Sequence, residues 1–193
     1  MKHRRTAGSS NEFKRSSFLD ALKKATAVNV LSHGFPGGLY EQNPATQSNT
    51  ASLTDIQSVV GQASWMPSLN IVYAAACSTQ NTLLVSAFFG NVPGTNKAYV
   101  GFTRDARVDG FPASALSFWQ ALRDGAPAIE ATRDAWEAYM DAVRRANTRL
   151  RASGITPNAT PGLTLTLIGD PGARLMGVYG AAAGTFSWWR VYG

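Results

Sequence analysis

Cysteine occurs once in this chain, as Cys77, and histidine twice, as His3 and His33. Cys77 closes the apolar run Asn70-Ile-Val-Tyr-Ala-Ala-Ala-Cys77. His33-Gly34 follows a second such run, Val28-Asn-Val-Leu-Ser32. Each run reads as a strand, so a thiol and an imidazole stand at the carboxyl ends of two strands. In an open parallel sheet that edge is where ligands bind. The chemistry such a pair performs is acyl transfer. The thiol, with an ordinary pKa of about 8.5, must lose its proton to attack a carbonyl. An imidazole, ordinarily near about 6.5, accepts that proton and returns it to the leaving amine. The backbone N–H groups of Gly34 and Cys77 are candidates to hold the oxyanion, since glycine permits close backbone approach. The same residues have packing roles open to them. A free cysteine after three alanines behaves as a small buried hydrophobe, and a histidine beside glycine is a common turn residue.

The elements that must position this pair are legible in outline. Phe18 to Ala25 has helical spacing, with Phe18, Leu19 and Leu22 on one face. Val28 to Ser32 is a strand, and His33 to Ala51, with Gly34, Pro36, Gly37, Gly38 and Pro44, reads as a long loop. A short helix starts near Thr54, with Ser52 or Thr54 as its cap. Leu69 to Ala76 is a buried strand. Asn81 to Phe89 is a helix that Gly90 can end in a left-handed cap. Ala98 to Thr103 is a strand, Arg104 to Gly110 a loop, and Ala113 to Leu122 a helix. A long amphipathic helix over Pro127 to Ala152 has Pro127 at its first position. Trp136, Met140 and Val143 lie on its apolar side, with Arg144, Arg145 and Arg149 opposite. Leu163 to Ile168 is a strand, followed by the turn Gly169-Asp-Pro-Gly172, and Thr185 to Val191 is a last strand whose Phe186-Ser-Trp-Trp189 is expected in the core. Strands alternating with helices predict a three-layer α/β/α sandwich with a mostly parallel sheet. If the strands bearing His33 and Cys77 are neighbours, both residues meet on one sheet edge.

Composition narrows the function classes. The chain has 193 residues, 45% hydrophobic and 16% charged, which suits one globular domain. Residues 1–16 are expected to be a basic flexible leader, and residues 17–193 the domain. Of the formal net charge of +6, the first fifteen residues supply +4. The basic balance is therefore mostly a property of the leader, and nucleic acid is not an expected partner. One cysteine excludes an intramolecular disulfide framework and a multi-cysteine zinc site. With only His33 outside the leader, no metal site and no cofactor are expected. The leader lacks an apolar segment behind its charges, and no apolar run reaches the ~18 residues of a membrane span. A cytoplasmic location without membrane association is expected.

The order of short motifs adds a resemblance. His33-Gly34 after a hydrophobic strand, Leu53-Thr-Asp-Ile56, and a strand ending Ala75-Ala-Cys-Ser-Thr79 resemble the caspase-like cysteine peptidases of clan CD, closest to their CHAT and gingipain-like branches. Tyr99-Val-Gly-Phe-Thr103 resembles the following strand. Phe118-Trp-Gln-Ala-Leu122, Gly125 and Ala128 to Ala135 resemble the helix pair after it. Leu167-Ile-Gly-Asp-Pro171 resembles a late Gly-Asp-Pro turn, although Asp170 there is expected to be structural. The resemblance covers about residues 17 to 190. It implies a caspase-like fold and an endopeptidase with a His-Cys dyad and a covalent acyl-enzyme. Cys77 would be the nucleophile, His33 the general acid/base, and Gly34 part of the oxyanion hole, with a peptide or protein as substrate. Asp105 and Asp109, in the loop after the third strand, are candidate receptors for a basic P1 side chain. One departure is the lack of a strand ahead of Phe18. It points to a shortened form, a fragment, or a sheet completed by a partner protein or an N-terminal segment.

Three other functions compete. Ser32-His-Gly-Phe-Pro36 looks like an α/β-hydrolase oxyanion segment. That family needs a Gly-x-Ser-x-Gly elbow and a later histidine, and no histidine follows residue 33. A caspase-like scaffold or protein-interaction module without turnover is the main alternative. Nucleic-acid binding through the leader and Arg144 to Arg151 ranks last.

Overall fold

A computed structural model describes residues 15–23, 25–40, 49–61, 69–90 and 93–175, and the backbone of 185–189. Residues 1–14 of the expected leader lie outside this range. Arg15, assigned to the leader on charge, instead opens the first helix, α1 (Arg15–Leu22), because its guanidinium reaches the Asp55 carboxylate at 2.7 Å.

Four strands run parallel: β1 (Ala25–Leu31), β5 (Ile71–Ala75), β6 (Ala98–Phe102) and β8 (Thr185–Trp189). β7 (Leu165–Gly169) joins the outer side of β6 in the antiparallel sense, giving the order β7-β6-β5-β1-β8. Every residue of β1, β5 and β6 is buried, the pattern of strands covered on both faces. That burial explains why β1 begins at Ala25, which helical spacing had put in the preceding helix. Ala25-Thr-Ala27 are small side chains in a strand buried on both sides.

The pleat sends alternate residues to two separate cores. Val28, Val30, Val72, Ala74 and Tyr99 face α1, α2 (Leu53–Gly61) and α3 (Thr82–Phe89), among Phe18, Ile56, Leu84 and Phe88. Ala27, Leu31, Ile71, Tyr73, Val100 and Phe102 face α4 (Phe111–Arg123) and α5 (Ala128–Ala152), among Phe118, Trp119, Ala135 and Tyr139. The result is a mixed α/β architecture with helices on both faces of a mostly parallel sheet. Polar contacts tie α4 to the sheet and to α5 inside this core. Trp119 Nε1 donates to Asn29 Oδ1 at 3.0 Å, and Ser114 Oγ, 2.6 Å from the Tyr73 hydroxyl, donates to the Ala135 carbonyl.

Several helix ends follow from their sequences. Asn81 caps α3 by accepting from the Leu84 N–H at 2.8 Å, and Gly90 ends it at φ 78°. Ser52, not Thr54, caps α2. The Asp55 N–H donates to Ser52 Oγ, and the Ser52 N–H donates back to the Asp55 carboxylate at 2.9 Å. Pro127 sits one position earlier than expected, as the extended residue ahead of α5. The deeply buried stripe of α5 is Ala131, Ala135, Tyr139, Ala142 and Ala146, with Trp136, Met140 and Val143 on its margin. Alanine lets α5 approach α4 closely, so the bulkier side chains fall at the border. The Gly169–Gly172 turn is a clasp: Asp170 accepts from the Asn96 N–H at 2.7 Å and from the Gly172 N–H at 2.8 Å.

Two expectations change. The segment expected as a loop from His33 to Ala51 carries a small antiparallel sheet of β2 (His33–Phe35), β3 (Gly38–Tyr40) and β4 (Thr50–Ser52). Three-residue strands are too short to show alternation, and only the Pro36-Gly37 turn marks them. Second, the last strand, expected over Thr185 to Val191 with no place in the sheet assigned to it, is described over Thr185–Trp189 and lies on β1, in parallel register from Ala25↔Thr185 to Val30↔Trp189. The expected core placement of Phe186, Trp188 and Trp189 concerns side chains outside the described part, as do residues 190–193.

Candidate active site

Adjacent strands β1 and β5 are in register through Leu31↔Ala75. His33 and Cys77 each lie two residues beyond that pair, and the Ser32 N–H still donates to the Ala75 carbonyl at 3.4 Å. Both candidate residues therefore leave the sheet at the same point on its carboxyl edge. Gly34 fits tightly there. A Cβ at Gly34 would stand 2.6 Å from the Cys77 carbonyl oxygen and 2.9 Å from both Ala76 Cβ and Thr79 Cγ2. Only glycine lets the β2 strand lie against the Cys77 turn this closely.

The turn that carries Cys77 is held from behind. Thr79 is fully buried, and its hydroxyl bridges the carbonyls of Ala74 (3.0 Å) and Ala76 (2.9 Å) and the Phe102 N–H (3.3 Å). The Tyr99 hydroxyl donates to the Thr79 carbonyl at 2.9 Å, and the Gln80 N–H donates to Phe102. Ser78 takes a left-handed conformation at φ 53°, which a non-glycine residue keeps only where its surroundings enforce it. The Ala76 N–H donates to Ala74, and the Ser78 N–H donates to Arg104. Among the described residues no group accepts from the Cys77 N–H between them.

The half-buried Cys77 thiol meets the loop after β6. The Ala106 N–H donates to Sγ at 3.3 Å, and Sγ lies 3.5 Å from the Ala106 carbonyl oxygen. Burial pushes the thiol pKa up, and the Asp105 carboxylate adds to this, against the lowering effect of the Ala106 N–H. The loop itself is anchored by Arg107. Its N–H donates to the Tyr139 hydroxyl at 2.7 Å, and its guanidinium bonds Asp109 and Asn147.

His33 does not hydrogen-bond Sγ. Its ring stacks instead on Tyr40, with centroids 5.1 Å apart and planes 16° from parallel. Successive strand residues point to opposite faces, so the His33 side chain leaves β2 on the side away from the Gly34–Cys77 contact. The Tyr40 phenol pKa is pushed up by burial first, and then by the negative charges of Cys77 and Asp105.

The two candidate P1 receptors differ in their surroundings. Both are exposed. Asp105 stands beside the thiol and accepts from Ser78 Oγ at 3.3 Å, whereas Asp109 is paired with Arg107, whose Nε lies 3.1 Å away. Tyr40, Thr79 and Ala106 escaped the sequence reading. Tyr40 was within reach of it, because a two-residue Pro36-Gly37 turn places Tyr40 opposite His33. Thr79 and Ala106 carried no such signal, since their partners are backbone groups of distant elements.

Among the described residues, no cluster of three or more histidine, cysteine, aspartate or glutamate side chains could hold a metal ion, and no helix is long and apolar enough to cross a membrane. No protein-family model matches this chain, and no curated protein matches it significantly in sequence.

Proposed function

We propose that this chain is a caspase-like, cysteine-dependent endopeptidase in which Cys77 attacks the peptide carbonyl and His33 moves the proton. The observation that carries this reading is the shared exit of β1 and β5, with His33 and Cys77 equally far beyond the last paired residues. The raised thiol pKa favours a neutral resting thiol, so attack requires a base at the moment of reaction. His33 would take the Sγ proton as the S–C bond forms, and the oxyanion would be held by the Cys77 and Gly34 N–H groups. Collapse of the tetrahedral species breaks the C–N bond, and His33 returns the proton to the leaving amine. Water, deprotonated by His33, then hydrolyses the thioester and regenerates the thiol. The exposed Asp105 beside the thiol favours a substrate with a basic P1 side chain. The imidazole rests on Tyr40, and catalytic hydrogen bonds commonly form only with substrate bound.

The thiol held between the two backbone groups of Ala106 favours a second reading, a caspase-like scaffold without turnover. A diverse peptide library, incubated with wild type, Cys77→Ala and His33→Ala and read by mass spectrometry, separates the two. Cleavage is expected from wild type alone, and its products will report the P1 residue. Equal cleavage by either variant would remove the dyad, and no cleavage by any of the three would leave the scaffold.

A further inference from the structure

We propose that Tyr40 is a positioning residue for the His33 imidazole, a ring platform that takes the place of the hydrogen-bonded orienting group found beside most catalytic histidines. This rests on the function proposed above. A general base works only if its ring plane is held while its proton is exchanged. Among the described residues, no hydrogen bond or ion pair holds the His33 ring or fixes its orientation. The near-parallel stack on Tyr40 does so instead.

The platform is built by the hairpin. The Pro36-Gly37 turn sets the pairs Phe35↔Gly38, Gly34↔Leu39 and His33↔Tyr40. A Cβ at Gly38 would stand 2.4 Å from the Ala51 carbonyl, so glycine there lets β3 lie close against β4 and fixes the hairpin's place. Phe35 shares the His33 side of β2 and tilts against the Tyr40 ring, with centroids 5.8 Å apart. The phenol ring thus meets both His33 and Phe35. Its face is electron-rich, so the stack grows stronger when His33 takes up a proton. A stacked ring can also slide within its own plane, which a hydrogen-bonded one cannot do without breaking the bond.

The test uses a peptide that the wild type cleaves and compares Tyr40→Phe with Tyr40→Leu. The phenylalanine variant keeps the platform, and its kcat is expected within about threefold of wild type. The leucine variant keeps apolar bulk but loses the ring, and its kcat is expected to fall about tenfold to a hundredfold with KM little changed. Wild-type kcat in the leucine variant, or an equal loss in both variants, overturns the platform. Should the leucine variant fail to fold, Tyr40→Ile is the second ringless variant, suited to a strand. Independently, the His33 Cε1–H proton resonance should lie upfield in wild type and in Tyr40→Phe. A resonance at the free-imidazole position in wild type shows that the stack does not form, and overturns the proposal. Cleavage that depends on His33 but not on Tyr40 defeats this inference alone. Cleavage that survives His33→Ala, or no cleavage by wild type, defeats the peptidase reading and this one with it.

Discussion

Burial and the Asp105 carboxylate both favour the protonated Cys77 thiol, and this makes Asp105 a control on Cys77. The Asp105 charge raises the thiol pKa. The substitution Asp105→Asn removes one of the two raising causes and leaves the lowering Ala106 N–H in place. The pH profile of Cys77 alkylation by iodoacetamide should therefore move to lower pH in this variant, with faster alkylation at neutral pH. An unchanged profile would show that the carboxylate does not reach the thiol. The same substitution should weaken cleavage after basic residues, since Asp105, unlike Asp109, is free of an arginine partner among the described residues.

The elements that carry the two reactive residues depend on a few polar contacts. Thr79 ties the Cys77 turn to β5 and β6 through one hydroxyl. Thr79→Val keeps the shape but leaves the buried Phe102 N–H without an acceptor, a cost of about 1–3 kcal/mol. It should lower the urea midpoint and slow cleavage, while Thr79→Ser should retain most of both. Asp55 plays the matching part at the start of α2. Burial raises its pKa, but the Arg15 guanidinium and the Ser52 N–H and hydroxyl outweigh this and hold the carboxyl below its usual range. A lowered pKa stabilises the fold above the unfolded value of about 4, and that contribution is lost as pH falls through the folded one. Asp55→Ala should cost about 1 kcal/mol at neutral pH, and the difference from wild type should shrink in acid. Urea titrations at several pH values check the sign. The α2 cap was half legible, since Ser52 was a candidate beside Thr54. The small sheet β2-β3-β4 was not, because its pairing is tertiary and each strand is only three residues long.

At the scale of the molecule, the position of β1 is the central fact. It lies between β5 and β8, so the strand that delivers His33 has a hydrogen-bonded neighbour on each side. Ending the chain at Gly184 removes β8 and opens one flank of a strand whose residues are all buried. Amide exchange across Ala25–Leu31 should accelerate, and the thermal midpoint should fall. Unchanged exchange would show that β8 adds nothing to the sheet. The alternation of strands and helices, the apolar runs ending at His33 and Cys77, and the cap at Gly90 were all readable along the chain, because burial period and local hydrogen bonding depend on near neighbours in sequence. The adjacency of β1 and β5 was conditional until the register Leu31↔Ala75 showed it. The return of β8 to the flank of β1 and the hold of Ala106 on the thiol belong to the tertiary structure alone. Each joins segments that no local propensity brings together, and each is chosen only when the two cores close on opposite faces of one sheet.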